Sequence, residues 1–112
     1  ILWHQARATA LPRSGWKLPG AVPAYDAGVR NELGDLPIVV GELGWPENGF
    51  HGMPAELLHT FNRRLPEWAT QLPRCAVVSA DGLTARPDGL HFTTEALRTL
   101  GLRYLEAYKS LL

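Results

Sequence analysis

Three short apolar runs, separated by stretches with helical periodicity, constrain the fold of this chain more than any other feature. The runs cover residues 1–4, 36–40 and 75–78, so they recur about every 35 residues, and small or polar residues follow each of them. Buried strands of a parallel sheet are short, apolar and rich in β-branched residues, as these runs are. The spacing therefore predicts three buried parallel strands.

Amphipathic patterns occupy the intervals between these runs. Residues 54–72 carry apolar side chains at spacings of three and four, which predicts a helix that starts near Pro54 and is interrupted at Pro66. Residues 24–33 predict a shorter helix that ends at Gly34, where glycine readily adopts a left-handed cap. The last helix is capped by Thr93 or Thr94 and has Glu95 in its first turn. Its predicted apolar face consists of Leu97, Leu100, Gly101, Tyr104, Leu105, Tyr108, Leu111 and Leu112.

The alternation of strands and helices predicts a parallel α/β sheet with right-handed crossovers. Ligands of such sheets bind outside the carboxyl ends of the strands. Here that edge collects Gln5, Glu42 and the loop of residues 79–91. Residues 10–23 and 45–52 are rich in proline and glycine, follow two of the strands, and are predicted to be loops that form the rim of a site.

Composition excludes several classes of protein. The length of 112 residues fits one domain, and 11 basic residues balance 11 acidic ones without forming a basic stripe, so nucleic acid is not an expected partner. The apolar runs are far shorter than the ~20 residues of a membrane-spanning helix. Cys75 is the single cysteine, which excludes an internal disulfide.

The sequence Asp88-Gly89-Leu90-His91 is the strongest local indication of chemistry. A carboxylate three residues before a histidine can accept a hydrogen bond from Nδ1–H, which leaves Nε2 unprotonated as a base. The alternative is a surface pair without a catalytic role.

The role of Glu42 is open in the same way. It could contact a substrate or the Arg7 side chain, or it could make a structural hydrogen bond to the neighbouring loop.

Several segments together resemble one family of enzymes. Residues 77–83, Asp88-Gly89-Leu90-His91-Phe92 and Gly101-Leu102-Arg103-Tyr104 resemble the closing segment of the sialate O-acetylesterase-like carbohydrate esterases, which belong to the SGNH hydrolase superfamily. Residues 39–44 are similar to the middle strand of that family. Ile1-Leu2-Trp3-His4-Gln5 resembles the strand that ends in its Trp-x-Gln-Gly-Glu-Ser-Asp block.

The resemblance implies a fold and an activity. The fold would be a flavodoxin-like three-layer α/β/α sandwich with a parallel sheet, incomplete in this chain, with residues 1–112 forming the carboxyl-terminal portion of one esterase domain. The activity would be removal of acetyl groups from acetylated carbohydrates by a serine esterase, with no metal or organic cofactor. Asp88 would orient His91, His91 would move the proton of the serine, and Gln5 would help to form the oxyanion hole.

The sequence departs from the family pattern in two places. It contains no Gly-x-Ser block, and Ser14, Ser79 and Ser110 do not lie in a comparable turn. After Gln5, the Gly-Glu-Ser-Asp of the family is replaced by Ala6-Arg7-Ala8-Thr9. Two hypotheses follow: the chain supplies the His/Asp half of an esterase triad, or it is a non-catalytic remnant that acts as a carbohydrate-binding or interaction module.

The amino terminus leads to a prediction about partners. The chain opens directly in an apolar strand without an initiator methionine, which indicates a truncated, processed or split polypeptide. A parallel strand of this kind is normally covered on both faces and paired on both edges. We therefore expect contact with a missing amino-terminal segment of the same domain, or with a second copy of the chain.

Overall fold

The computed structural model describes residues 2–3, 18–44, 54–89 and 91–112, which alternate between strands and helices as the sequence predicts. In chain order the elements are β1 (Leu2–Trp3), α1 (Leu18–Leu33), β2 (Ile38–Gly41), α2 (Ala55–Ala69), β3 (Cys75–Val78) and α3 (Thr94–Ser110). None of the helices in the described ranges is long and apolar enough to cross a membrane.

The three strands form one parallel sheet in the order β1-β2-β3. In its register Leu2 pairs with Val39, and Ile38 pairs with Cys75. Because neighbouring strands run in the same direction, each connection must cross over the sheet, and the helices provide these crossovers. The carboxyl ends of β2 and β3 consequently lie side by side at one edge.

Alternate residues of β2 face opposite layers of the fold. Ile38 and Val40 pack against α2, whereas Val39 is completely buried on the side of α3. The α2 layer of the core contains Leu58, Phe61, Leu65 and Trp68, and the α3 layer contains Val78, Leu100 and Tyr104. The predicted α/β/α arrangement is confirmed, since helices cover both faces of the sheet.

Helix α1 begins earlier than the sequence predicts, because Leu18 to Pro23 are helical and do not belong to the expected loop of residues 10–23. Pro19 falls in the first turn, where the backbone N–H groups have no intrahelical partner and proline costs little. Pro23 lies further along and removes one backbone hydrogen bond, but it does not end the helix. The rest of that expected loop, residues 10–17, lies outside the described residues, as does the expected loop of residues 45–52.

The end of α1 is tied to the amino ends of the strands. Gly34 has a φ of +84° and donates its N–H to the Arg30 carbonyl, as expected for a helix that ends at glycine. The Arg30 guanidinium forms an ion pair with the buried Asp26 at 2.8 Å and also donates to the Pro73 carbonyl. Burial and, to a lesser extent, the nearby Asp26 carboxylate raise the pKa of the Cys75 thiol, which favours its protonated form.

Helix α2 passes through Pro66 without the predicted interruption and continues to Ala69. Pro66 removes one hydrogen bond near the end of the helix, but Leu65 and Trp68 on either side of it are buried against the sheet. The Thr70 N–H donates to the Pro66 carbonyl at 3.1 Å and closes the last turn. Tertiary packing therefore outweighs the local effect of proline, and Trp68 is a core residue, as the helical periodicity indicates.

Helix α3 buries a narrower face than the sequence predicts. Thr93 caps the helix, accepting a hydrogen bond from the Ala96 N–H at 3.2 Å, and Leu100 and Tyr104 pack on the sheet. Five members of the predicted apolar face are instead exposed: Leu97, Gly101, Leu105, Tyr108 and Leu112. The sheet contacts only one arc of the helix, so a wider apolar face cannot be buried against it.

Tyr104 provides a test of the α3 layer through its pH dependence. Burial raises the pKa of its hydroxyl to about 12, whereas an exposed tyrosine ionises near pH 10. The native state resists ionisation, so this stabilising contribution is complete below pH 10 and is lost as the pH rises toward 12. Urea denaturation should show that the free energy of unfolding falls by about 2 kcal/mol more in the wild type than in Tyr104→Phe over this range. Identical pH profiles of the two proteins would contradict the burial of this hydroxyl.

Candidate active site

The carboxyl ends of β2 and β3 are joined by Glu42. Its backbone N–H donates to the Val78 carbonyl at 2.9 Å, which extends the strand pairing by one residue. Its Oε2 atom accepts hydrogen bonds from the Ser79 hydroxyl and the Ala80 N–H, both at 2.9 Å. Glu42 thus makes the structural contact to the neighbouring loop that the sequence left open, and Oε1 makes no hydrogen bond to the described residues.

Asp88 and His91 form a closely bonded pair in the loop that precedes α3. The Oδ1 atom of Asp88 accepts the His91 N–H at 3.0 Å, and Oδ2 lies 2.7 Å from His91 Nδ1. The local sequence favours this geometry, since Pro87 suits the second position of a turn and Gly89 has a φ of +65°. The Gly89 N–H closes the turn by donating to the Arg86 carbonyl at 2.8 Å.

A short hairpin holds this turn. The Arg86 N–H donates to the His91 carbonyl at 2.7 Å, and Ala85 forms an antiparallel bridge with Phe92. At the base of the hairpin the Thr93 N–H donates to the Thr84 carbonyl at 3.0 Å. Because Thr93 is also the cap of α3, the hairpin is continuous with the start of that helix.

The chemistry of the pair follows from its exposure and its hydrogen bond. The His91 side chain is 64% exposed and the Asp88 side chain is 46% exposed. A carboxylate that accepts from Nδ1–H selects the tautomer with an unprotonated Nε2, and Nε2 has no partner among the described residues. The arrangement can therefore accept a proton from a group that approaches His91 from outside the loop.

A close contact joins the loop after β2 to the hairpin. A Cβ atom placed on Gly44 would lie 2.6 Å from Cε1 and 2.8 Å from Cζ of the Phe92 ring. Only glycine allows the ring to lie against the backbone at this point. The contact brings the segment that follows Glu42 next to the residue that follows His91.

Asn62 is a buried polar residue that the helical pattern of residues 54–72 did not single out. It lies on α2 and is 3% exposed. Its Oδ1 atom accepts the Leu43 N–H at 2.9 Å, and its Nδ2 atom donates to the Leu43 carbonyl at 2.8 Å. The signal was present in the sequence, because an amide within the apolar face of a helix must find partners when that face is buried. Asn62 thereby holds the loop between Glu42 and Gly44 in place.

A cleft of about 550 Å³ opens beside Glu42, between the end of β2 and α2. This volume is within the range of small-molecule sites. The residues that line it are Glu42, Glu56, His59, Thr60, Asn62, Arg63 and Pro66. Over the described part of the chain, no group of three or more His, Cys, Asp and Glu residues is arranged to hold a metal ion.

The structure thus brings together part of the expected site. Asp88 and His91 are in direct contact, and Glu42 lies at the adjoining edge of the sheet. Gln5 and the altered residues that follow it lie outside the described residues.

Comparison with known proteins identifies the family. No curated protein matches the chain. A protein from Arabidopsis thaliana of known X-ray structure is similar in fold, with a TM-score of 0.73 and 25% sequence identity over 98% of this chain. The match covers only 43% of that protein, so this chain spans less than half of its length. Residues 1–110 match the family described as carbohydrate esterase, sialic acid-specific acetylesterase, and the chain belongs to this family.

Proposed function

We propose that this chain supplies the histidine and aspartate of a Ser-His-Asp triad in a carbohydrate O-acetylesterase. One observation carries the proposal: Asp88 Oδ2 lies 2.7 Å from Nδ1 of an exposed His91 ring, in a chain of an acetylesterase family. The nucleophilic serine comes from polypeptide that completes the domain. This is supported by the 43% of the related protein that the chain covers and by the absence of a Gly-x-Ser block from the sequence.

In this mechanism His91 acts first as a base and then as an acid. Its Nε2 atom takes the proton of the serine hydroxyl as the serine oxygen attacks the acetyl carbonyl. The same proton is transferred to the sugar oxygen when the ester bond breaks, which releases the sugar and leaves an acetyl-serine. Water, deprotonated by His91, then attacks the acetyl-serine, and His91 returns this proton to the serine oxygen as the acyl bond breaks and acetate leaves. Asp88 keeps the ring in the required tautomer and stabilises the imidazolium.

Two further residues have proposed roles in binding. Gln5 donates a hydrogen bond to the oxyanion of the tetrahedral intermediate, a contribution of about 3 kcal/mol for one well-placed donor. Glu42 accepts a hydrogen bond from a sugar hydroxyl through Oε1, because Oε2 is already bonded to Ser79 and Ala80. The substrate class is an acetylated carbohydrate, and the family description favours an O-acetylated sialic acid.

The test compares acetate release by the 112-residue chain and by a complete esterase domain that contains it. We expect hydrolysis of p-nitrophenyl acetate and of O-acetylated sialic acid only when a segment with a Gly-x-Ser turn is present, because His91 alone has no serine to activate. Equal turnover by the 112-residue chain alone would contradict the split triad.

The second candidate function is binding of carbohydrate without catalysis. It is favoured by the replacement of the family's Gly-Glu-Ser-Asp by Ala6-Arg7-Ala8-Thr9, which exchanges an acid for a base beside Gln5. Calorimetry on the complete domain distinguishes the two functions. Binding of the acetylated sugar with no release of acetate would establish the binding module, whereas measurable deacetylation would exclude it.

A further inference from the structure

We propose that Arg103 is a positioning residue for the Asp88–His91 pair, a role that rests on the esterase function proposed above. Arg103 lies in the third turn of α3, and its Nη1 atom donates to the carbonyl oxygens of Ser79 at 2.7 Å and Asp81 at 2.9 Å. The sequence pattern placed Arg103 away from the apolar face of α3. In the structure its side chain is partly buried against the turn that follows β3.

This turn is the start of the segment that leads to the active-site pair. Its backbone reverses direction at Gly82, which has a φ of +73°, and the Ser79 hydroxyl accepts the Asp81 N–H at 3.0 Å. Glu42 holds the turn from the side of β2 through Ser79 and Ala80. Arg103 holds it from the side of α3, so the turn is fixed between a strand end and a helix.

Helix α3 therefore anchors both ends of the segment of residues 79–93. Arg103 binds the beginning of the segment. The end of the segment is Thr93, which caps the same helix and donates its N–H to the Thr84 carbonyl. Ten residues of helix separate these two anchors, which corresponds to about 15 Å along the axis. The rigid helix sets the distance between the ends of the loop that carries His91.

The backbone around His91 determines where the ring lies, because the ring itself is largely exposed. The His91 side chain is 64% exposed and that of Asp88 is 46% exposed, so close packing does not fix the ring. A general base must nevertheless lie within hydrogen-bonding distance of the nucleophile, and small displacements reduce the rate strongly. The position of Nε2 therefore depends on the position of the hairpin, and Arg103 holds the turn that leads into the hairpin.

The first experiment measures hydrogen exchange by NMR on the 112-residue chain. In Arg103→Met we expect the amides of Arg86 and His91 to exchange about tenfold faster, because one anchor of the hairpin is lost. The amide of Val39 should be unaffected. Arg103→Lys retains a cationic donor and should restore most of the protection. Arg98→Met changes an exposed arginine of the same helix and is the matched control.

The second experiment measures kinetics in the complete esterase domain. We expect Arg103→Met to lower kcat by about tenfold with little change in KM, because the ring is displaced while the sugar contacts remain. Arg103→Lys should recover most of kcat, and Arg98→Met should match the wild type. If Arg103→Met only weakened the fold, its kcat per folded molecule at low temperature would equal that of the wild type.

The following results decide the proposal. Unchanged exchange at Arg86 and His91 in Arg103→Met would overturn it, and so would a uniform increase of exchange that includes Val39. If Arg103→Met does not fold, Arg103→Gln, which removes the charge and shortens the side chain, must show faster exchange at Arg86 and His91 with Val39 unchanged, or the proposal fails. A last outcome separates this proposal from the proposed function. If Arg103→Met speeds exchange only at Arg86 and His91, but the complete domain has no esterase activity, the proposed function is wrong and the anchoring by Arg103 stands.

Discussion

His91→Ala in the complete esterase domain is expected to lower kcat/KM for acetyl esters by a factor of about 10⁴ to 10⁶, with the fold unchanged. The ring is exposed and contributes little to packing, so its removal leaves the core intact. What is lost is the base that activates the serine and the acid that protonates the leaving sugar. Initial rates with p-nitrophenyl acetate, together with a thermal melt of each variant, measure the two effects separately.

Asp88, the carboxylate bonded to His91, should also be required for full esterase activity. Asp88→Asn removes the charge that holds the Nδ1–H tautomer, and we expect a loss in kcat of about 10² to 10⁴. Because Asp88 and His91 act as one unit, the double variant should be no slower than His91→Ala alone. Asp35→Asn, at the opposite edge of the sheet, is the matched control and should retain full activity. A loss of less than tenfold in His91→Ala would remove His91 from the mechanism.

Asn62→Ala is expected to have the largest effect on stability. The substitution leaves the N–H and the carbonyl of Leu43 without their partners in a buried environment. Each unpaired buried group costs about 1 to 3 kcal/mol, so we expect the free energy of unfolding to fall by about 2 to 6 kcal/mol. Urea denaturation measures this change directly.

Asn31→Ala is the matched control for this prediction. Asn31 is exposed on α1, so its removal should change the free energy of unfolding by less than about 0.5 kcal/mol. A similar value for Asn62→Ala would show that water replaces the amide beside Leu43. Because Leu43 directly follows Glu42, we also expect weakened binding of the sugar in Asn62→Ala, which calorimetry on the complete domain would detect.

The sequence predicts those parts of the fold and site that depend on neighbours along the chain. The three strands follow from short apolar runs, and the cap of α3 follows from a threonine before a helical pattern. Asp88 reaches His91 because a turn spans the two residues between them. The spacing predicts the contact between Asp88 and His91 but not a catalytic role for it. That role stays a prediction, which the kinetics of His91→Ala and Asp88→Asn test.

Other features could not be derived from local sequence. Pro66 looks like the end of a helix, but packing of Leu65 and Trp68 on the sheet carries α2 past it. Leu97 belongs to a regular apolar pattern, but the sheet is too narrow to cover its side of α3. Arg103 resembles a solvated surface residue, and only the position of the turn after β3 shows that it binds two carbonyls.

The sequence by itself determined the order of the elements, the parallel α/β class and the pairing of Asp88 with His91, because each rests on periodicity or on contacts a few residues apart. The tertiary structure alone decided that Glu42, Asn62 and Arg103 hold the surrounding loops. Their hydrogen bonds join residues 19 to 38 positions apart in the chain. Such bonds form only after the sheet and helices bring distant backbone groups within reach, and no local pattern encodes that distance.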